Sequence, residues 1–428
     1  MVGDSRPRIA RIARITGITG IGCRGHARAV NNTRRLSIAA LVVACTHLVF
    51  GAIVRISGSG LGCGENWPKC YGYWIPPFSR PDLIVEVSHR YLASILTLTV
   101  LSLAFVAVRN RAETGGRGGP MRSALGAVAA VFAAAILGGV TVKMGNAPWA
   151  TVAHWLVAMT LLAMVAMTAI RSGTLGGASA RVQRGTSRAA RSAFAAAVMA
   201  IFAVAMGGLT AKMPGASVGC TTVPLCGPNP SVARSSIDIQ MLHRTIAVLL
   251  VLHLIGVVTM MRKRRASEAP VVVRAAHIAL GMVLLQLVVA SAMILGHLPP
   301  VLRSLHEATG VGIWLSCFVL AYLARIAART VPETAGGTSA PVRHSEPVRH
   351  SEPVRHSEPV RHSERSEESG ITVERPVTLT ATQDPSVPSL SRDDASAASL
   401  LQDVKPLSPL PPPPPTMAVI VARGADLL

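Results

Sequence analysis

Eight long stretches of apolar, uncharged residues constrain the fold of this chain more than any other feature. A bilayer is crossed by about 20 apolar residues in a helix, and backbone groups in hydrocarbon must be hydrogen-bonded within the protein. These stretches lie at 36–56, 83–108, 123–143, 150–170, 191–211, 238–261, 274–296 and 303–325. They predict an all-α polytopic membrane protein with eight transmembrane helices.

The positive charges predict how the chain is oriented. Only 15% of the 428 residues are charged, yet the formal net charge is +21. Eight arginines lie in residues 1–35, and most other basic residues lie in the second-to-third, fourth-to-fifth and sixth-to-seventh connections. Because basic short loops stay on the cytoplasmic side, both termini are predicted to be cytoplasmic. The charge is thus a topology signal and does not require a nucleic-acid partner.

The two ends of the chain differ in composition from the apolar part. Residues 1–35 form a basic arm with one acid, Asp4, as in a mitochondrial transit peptide or a bacterial cytoplasmic extension. The richness in Ala, Gly and Arg favours a bacterial plasma-membrane protein. Residues 330–428 contain four copies of Pro-Val-Arg-His-Ser-Glu (Pro341–Glu364) and a run of prolines, a composition that predicts disorder.

Four histidines recur at matched positions in the apolar segments. His89 and His154 are 65 residues apart, His243 and His306 are 63 apart, and corresponding members are separated by 154 and 152 residues. The sequence His-Arg-x-x-Ala also recurs at His89 and His243. Such offsets predict a tandem repeat of two four-helix units, the N-terminal half (36–170) and the C-terminal half (191–325), packed as pseudo-symmetric bundles.

Two further similarities accompany the histidines. Gly62-Cys63 with Cys70 recurs as Gly219-Cys220 with Cys226. The third and fifth segments end alike, in sequences that begin with Gly138-Gly139 and Gly207-Gly208. Each similarity is weak alone, but together they support the duplication.

The paired histidines predict two haem sites. A single intramembrane histidine is more often a hydrogen-bonded packing residue, but repetition favours ligation or proton transfer. All four histidines are expected near the outer ends of their helices, so each half can offer imidazoles to both faces of one porphyrin. His47, His253, His277 and His297 have no counterpart in the other half, and we interpret them as structural or interfacial.

Basic residues at the same outer edge are candidate partners for haem propionates, although interfacial snorkelling explains each of them equally well. They are Arg55, Arg90, Lys143, Lys212 and Arg244.

The loop cysteines fall in the first and third outer connections, which the topology places in an oxidising compartment. A disulfide between Cys63 and Cys70 and another between Cys220 and Cys226 are predicted. A redox-active role for the first pair is the alternative.

One carboxylate breaks the symmetry of the halves. Glu86 lies one helical turn before His89, on the same face, whereas the equivalent residue before His243 is Gln240. An acid near a helix N-terminus is favoured by the helix dipole, which is the structural explanation. The functional one is that the N-terminal half handles a substrate and Glu86 manages protons or a cationic intermediate, while the C-terminal half keeps a permanent haem.

The eight segments, four histidines, Glu86-x-x-His89 and paired loop cysteines resemble the haem A synthase family over residues 36–325. The resemblance implies that His243 and His306 ligate the iron of a haem b cofactor, that His89 and His154 hold the substrate haem O, and that Glu86 is the essential acid. It also implies oxidation of a haem O methyl group to formyl by successive hydroxylations, giving haem A for aa3-type oxidases. Haem O synthase and the cytochrome oxidase assembly pathway are then the expected partners.

Two other classes of function remain compatible with the residues. One is a di-haem b-type electron carrier linked to quinol, and the other is a haem transporter or chaperone. Extracted pigments would separate them, because only an oxidising enzyme yields haem A. The sequence leaves the oligomeric state open, a homo-oligomer included.

Overall fold

A computed structural model describes residues 19–66 and 68–330 of the chain. Eight long helices account for most of this part: α1 (Thr19–Ile56), α2 (Pro81–Arg109), α3 (Met121–Lys143), α4 (Pro148–Arg171), α5 (Ser187–Lys212), α6 (Arg234–Lys263), α7 (Pro270–Leu295) and α8 (Pro300–Ala327). The predicted disorder of residues 330–428 lies, except for Thr330, outside the described residues, as does the first half of the basic arm.

All eight helices are long and apolar enough to cross a membrane, which confirms the predicted fold class. Seven of them begin and end within four residues of the predicted segments. The start of α1 was wrong, since the helix begins at Thr19 and not at residue 36, although its apolar span begins only at Asn31. No proline interrupts residues 19–56, and Arg and Ala favour helix, so the helix extends beyond the apolar window into the basic arm.

Prolines fix the beginning of four of the helices. Pro81, Pro148, Pro270 and Pro300 are the first residues of α2, α4, α7 and α8. Proline suits this position because the first helical N–H has no partner within the helix and the ring presets φ. Three of these helices, α2, α4 and α8, carry paired histidines, and each therefore starts at a defined residue within eight positions of its histidine.

Each set of four helices forms a closed bundle. In the first set, each of α1 to α4 contacts the next helix along the chain, and α4 also contacts α1; α5 to α8 have the same arrangement. The two sets meet along α1, α4, α5 and α8, and α4 and α8 are the most buried of the eight spans. The indole N–H of Trp314 on α8 donates to the carbonyl of Met159 on α4 at 3.0 Å, which joins the two central helices.

The connections repeat as well as the helices. Gly58 and Gly215 both have a left-handed φ, 73° and 75°, and each precedes a 3-10 turn that leads to a disulfide cysteine. Between α3 and α4 the N–H of Asn146 donates to Thr141, and between α7 and α8 that of Leu298 donates to Met293, each at 2.7 Å. The two tight turns have the same hydrogen bond although their sequences differ.

The outward faces of the helices carry large apolar side chains. Leu98, Phe105, Ile136, Phe194 and Val288 are each 65–68% exposed. Water would not tolerate such a surface, whereas hydrocarbon does. The exposed residues therefore mark the lipid-facing side of α2, α3, α5 and α7.

Candidate functional site

In the C-terminal half, two of the predicted histidines face each other across a cavity. His243 on α6 and His306 on α8 both line this cavity of about 320 Å³, and their ring centres are 6.4 Å apart with planes inclined by 77°. Two metal–nitrogen bonds of about 2 Å, plus about 1.1 Å from each nitrogen to its ring centre, place imidazoles on opposite sides of one metal roughly 6.2 Å apart. The observed spacing is close to this value, and the Nε2 of His306 lies 3.4 Å from the side-chain amide nitrogen of Gln286.

The protonation of His243 is fixed by its backbone neighbour. Its Nδ1 lies 3.1 Å from the carbonyl oxygen of Ala203, and a carbonyl can only accept, so Nδ1 carries the proton and Nε2 keeps a lone pair for a metal. The ring approaches α5 closely because residue 207 is glycine: an added Cβ would lie 3.0 Å from Cε1 of His243. The Nδ1 of His306 is buried and has no hydrogen-bond partner within residues 19–66 and 68–330.

Three arginines line the same cavity: Arg55, Arg244 and Arg303. Arg55 comes from α1 of the N-terminal half and forms an ion pair with Glu307 on α8 of the C-terminal half. Its guanidinium carbon lies 5.9 Å from the ring centre of Trp155 on α4. The sequence did not single out Arg303, although its position one turn before His306 repeats the spacing of Glu86 and His89.

Two of the candidate propionate partners also bind the disulfide loops. Arg244, which lines the cavity, donates to the carbonyl of Thr222 at 2.8 Å, and Arg90 donates to the carbonyl of Pro68 at 2.9 Å. Lys212 is half-buried and Lys143 is exposed, and neither lines the cavity.

The N-terminal half keeps part of this framework. The Nδ1 of His154 lies 2.9 Å from the carbonyl of Ala134, which again leaves Nε2 with the lone pair. A Cβ added to Gly138 would lie 3.4 Å from Cε1 of His154. A glycine therefore lies against an imidazole both on α3, at Gly138, and on α5, at Gly207. These two helices are not equivalent in the repeat, in which α3 corresponds to α7.

A third imidazole distinguishes the N-terminal half. The rings of His47 and His89 are stacked, with centres 4.2 Å apart and planes within 5°, and among the described residues the buried Nδ1 atoms of both have no hydrogen-bond partner. The interpretation of His47 as structural or interfacial missed this contact.

A sequence signal for His47 did exist. His47 lies four residues before Gly51, whose added Cβ would lie 3.1 Å from Cε1 of His89. Ala203 lies four residues before Gly207, which contacts His243 in the same way. His47 and Ala203 are therefore equivalent, and the imidazole occurs in one half alone.

Glu86 and Gln240 both support a disulfide loop. A carboxylate oxygen of Glu86 accepts from the N–H of Cys63 at 2.9 Å, and the amide oxygen of Gln240 accepts from that of Cys220 at 2.6 Å. The second oxygen of Glu86 accepts from Arg90 at 2.5 Å, and the residue is only 4% exposed. The loop contact is thus common to the halves, whereas the charge belongs to the N-terminal half.

The structure joins Cys63 to Cys70 and Cys220 to Cys226, with Cα atoms 4.9 Å and 4.8 Å apart. Cys63 and Cys70 are buried against Leu83 and Val87 of α2, within the first two turns of the helix that carries Glu86. The first loop therefore covers the end of the N-terminal half where Glu86 lies.

The fold and the site define an integral membrane protein of eight helices in which each set of four contributes a pair of histidines from its second and fourth helices. The chain belongs to the COX15-CtaA family of cytochrome oxidase assembly proteins, which matches residues 34–318. This confirms the resemblance found from the residues.

Individual relatives are similar over most of their length. A protein named heme A synthase from Geobacillus thermodenitrificans is 26% identical over 297 residues, which cover 68% of this chain and 91% of the relative. A protein of the same name from Geobacillus kaustophilus is 26% identical over 66% of this chain and 87% of its own. One from Shouchella clausii is 28% identical over 56% and 79%.

Proposed function

We propose that this protein is a haem A synthase, which oxidises a methyl substituent of haem O to a formyl group by successive hydroxylations and loss of water. The observation that carries the proposal is the difference between two related sites. Both halves contain a pair of histidines with at least one oriented by a backbone carbonyl. At two matched positions they differ: the N-terminal half has the buried carboxylate of Glu86 and the imidazole of His47, where the C-terminal half has Gln240 and Ala203. Its homologues of that name, alike over most of their length, support the assignment.

His243 and His306 would hold a haem b cofactor. When bound, this group supplies electron transfer. The protein contributes the two imidazoles, of which His243 is held in the metal-binding tautomer by Ala203. Arg303 and Arg244 line the cavity and offer guanidinium groups to the carboxylates of the porphyrin edge.

His89 and His154 would hold haem O as substrate. His154 is preset by Ala134, and His89 is stacked on His47 through its ring face, which leaves the nitrogens at the ring edge for a metal. Glu86, one turn before His89, would provide a negative charge or a proton acceptor for the methyl carbon as it is oxidised. Its bonds to Cys63 and Arg90 hold the carboxylate in one orientation.

The protein would lie in the bacterial plasma membrane with both termini in the cytoplasm. The basic loops between α2 and α3, α4 and α5, and α6 and α7 support this orientation, which puts the disulfides and the histidine ends of the helices toward the outside. Haem O is apolar and stays in the membrane, so a membrane-embedded haem O synthase is the expected source of substrate.

The test is to produce the whole protein in a host that makes haem O but not haem A, and to separate the extracted pigments by chromatography. We expect haem A or a hydroxylated intermediate to accumulate with the protein and to be absent from the host alone. A purified protein that carries haem b and leaves haem O unchanged would instead indicate an electron carrier. Reversible binding of haem without any oxidised product would indicate a transporter.

A further inference from the structure

A second cavity lies at the end of the helices opposite the disulfide loops. Its volume is about 430 Å³, and four arginines line it: Arg117, Arg171, Arg181 and Arg329. They come from the loop between α2 and α3, the end of α4, the short helix Gly177–Val182 and the residues after α8. Four separate parts of the chain thus bring a guanidinium group to one place.

Two of these arginines are held by neutral acceptors. Arg171 donates from Nε to the hydroxyl of Tyr322 at 2.6 Å and from Nη1 to the carbonyl of Gly119 at 3.1 Å. Arg181 donates to the carbonyl of Arg171. These bonds position the guanidinium groups without neutralising them, and in the described part of the chain no Asp or Glu lines the cavity.

The remaining two arginines face water at the edge of the cavity. Arg117 and Arg329 are exposed, and neither side chain forms a hydrogen bond or an ion pair with the described residues. The positive-inside rule explains basic residues near the cytoplasmic ends of helices. It does not explain why the side chains of four arginines line one cavity. Arg264 and Arg265, between α6 and α7 on the same side of the protein, serve that role without lining this cavity.

We propose that the arginine cavity binds the phosphate of an acidic phospholipid headgroup. Guanidinium groups match phosphate oxygens with paired hydrogen bonds, and basic pockets between transmembrane helices are suited to anionic headgroups. The cavity lies at the ends of α4 and α8, and Tyr322 and Ile326 line it from α8. A headgroup phosphate can therefore be placed among the arginines at the level of the membrane surface. The proposal does not depend on the chemistry at the opposite end.

The experiment is native mass spectrometry of the delipidated full chain in detergent, with added dioleoylphosphatidylglycerol or the zwitterionic dioleoylphosphatidylcholine. The wild-type protein should retain phosphatidylglycerol in preference. The double variant Arg117→Gln/Arg329→Gln should bind it roughly tenfold more weakly, because two cations near the headgroup are lost. The control Arg264→Gln/Arg265→Gln removes the same charge from the same side and should stay within about twofold of wild type.

Three results would overturn the proposal. Equal retention of the two lipids would show that the negative headgroup is not recognised. An equal loss in both double variants would show a general effect of charge. Stabilisation by inorganic phosphate, without selective retention of phosphatidylglycerol, would identify a soluble anion as the ligand. All substituted side chains are exposed, and a single symmetric peak in size-exclusion chromatography would verify that each variant folds.

Discussion

The two halves of this protein share one helical plan but differ in the side chains beside their paired histidines. In the C-terminal half, the ring centres of His243 and His306 are 6.4 Å apart and both residues line a cavity. In the N-terminal half, His89 is stacked on His47, at the position where the other half has Ala203. Under the proposed function, the C-terminal half keeps its bound group whereas the N-terminal half must release a product. The side chains at positions 47 and 203 are therefore a place where the two proposed roles can be compared by substitution.

The largest effect is expected from the ligands of the C-terminal half. His243→Ala or His306→Ala should remove the tightly bound haem, because a single remaining imidazole leaves one face of the iron without a protein ligand. The measurement is the absorption spectrum and haem content of the purified protein. His277→Ala is the control, since this ring contacts Arg262 far from the cavity. Full colour in a double His243→Ala/His306→Ala variant would contradict the site.

Glu86→Gln should distinguish the proposed roles of the two halves most clearly, because it should affect haem O conversion and not haem b binding. The amide can still accept from Cys63, as Gln240 does from Cys220, so the loop should stay in place while the charge is lost. We expect conversion of haem O to fall by about 10²- to 10⁴-fold, the range for losing an acid–base group, with the haem b spectrum unchanged. Asp82→Asn, an exposed change at the start of the same helix, is the control. Normal haem A production by Glu86→Gln would refute the role of this residue.

The disulfides should have similar effects in the two halves if they only hold their loops. Replacing both cysteines of either pair with serine should lower the free energy of unfolding by about 2–3 kcal/mol, the value for closing such short loops. Thermal unfolding in detergent would measure it. If Cys63→Ser/Cys70→Ser abolished haem A production while Cys220→Ser/Cys226→Ser did not, at equal stability, the first pair would have a redox role.

The smallest effect concerns His47. His47→Ala removes a ring that packs on the face of His89 and helps to hold this imidazole in one orientation, and such a contact contributes about 0.5–1.5 kcal/mol. We therefore expect porphyrin to bind the N-terminal half roughly threefold to tenfold more weakly, as measured by haem titration. The reverse change, Ala203→His, should lower haem occupancy of the C-terminal half, because Ala203 lines its cavity. Tighter binding by His47→Ala would mean that this ring obstructs the porphyrin.

The sequence predicted those features that the bilayer imposes. Hydropathy located all eight spans because each helix must match the membrane thickness, and it failed at the start of α1, which continues as helix beyond the apolar residues. The sequence repeat could be recognised from the histidines and cysteines. It could not be recognised at the turns before α4 and α8, where Asn146 and Leu298 make the same backbone hydrogen bond, because the two turns have similar backbone geometry but different residues.

The side-chain partners were harder to predict than the helices. Glu86 was recognised as the asymmetric residue, but its bond to the N–H of Cys63 depends on how the loop folds over α2. Arg55 was predicted at the outer edge as a candidate propionate partner, but its ion pair with Glu307 on α8 was not predicted. Neither contact follows from spacing along one helix. Both arise when separate segments pack, which a single sequence does not record.

Because Arg55 contacts the neighbouring set of helices, the C-terminal half is not expected to form its site alone. The cavity of the C-terminal half takes part of its wall, Leu48, Arg55, Trp155 and Met159, from α1 and α4. If the gene were divided between Arg171 and Ser187, the second polypeptide would lack this wall and leave Glu307 without its cation. The C-terminal helices therefore depend on α1 and α4 for this cavity, so co-expressed fragments should bind haem where the second fragment alone does not.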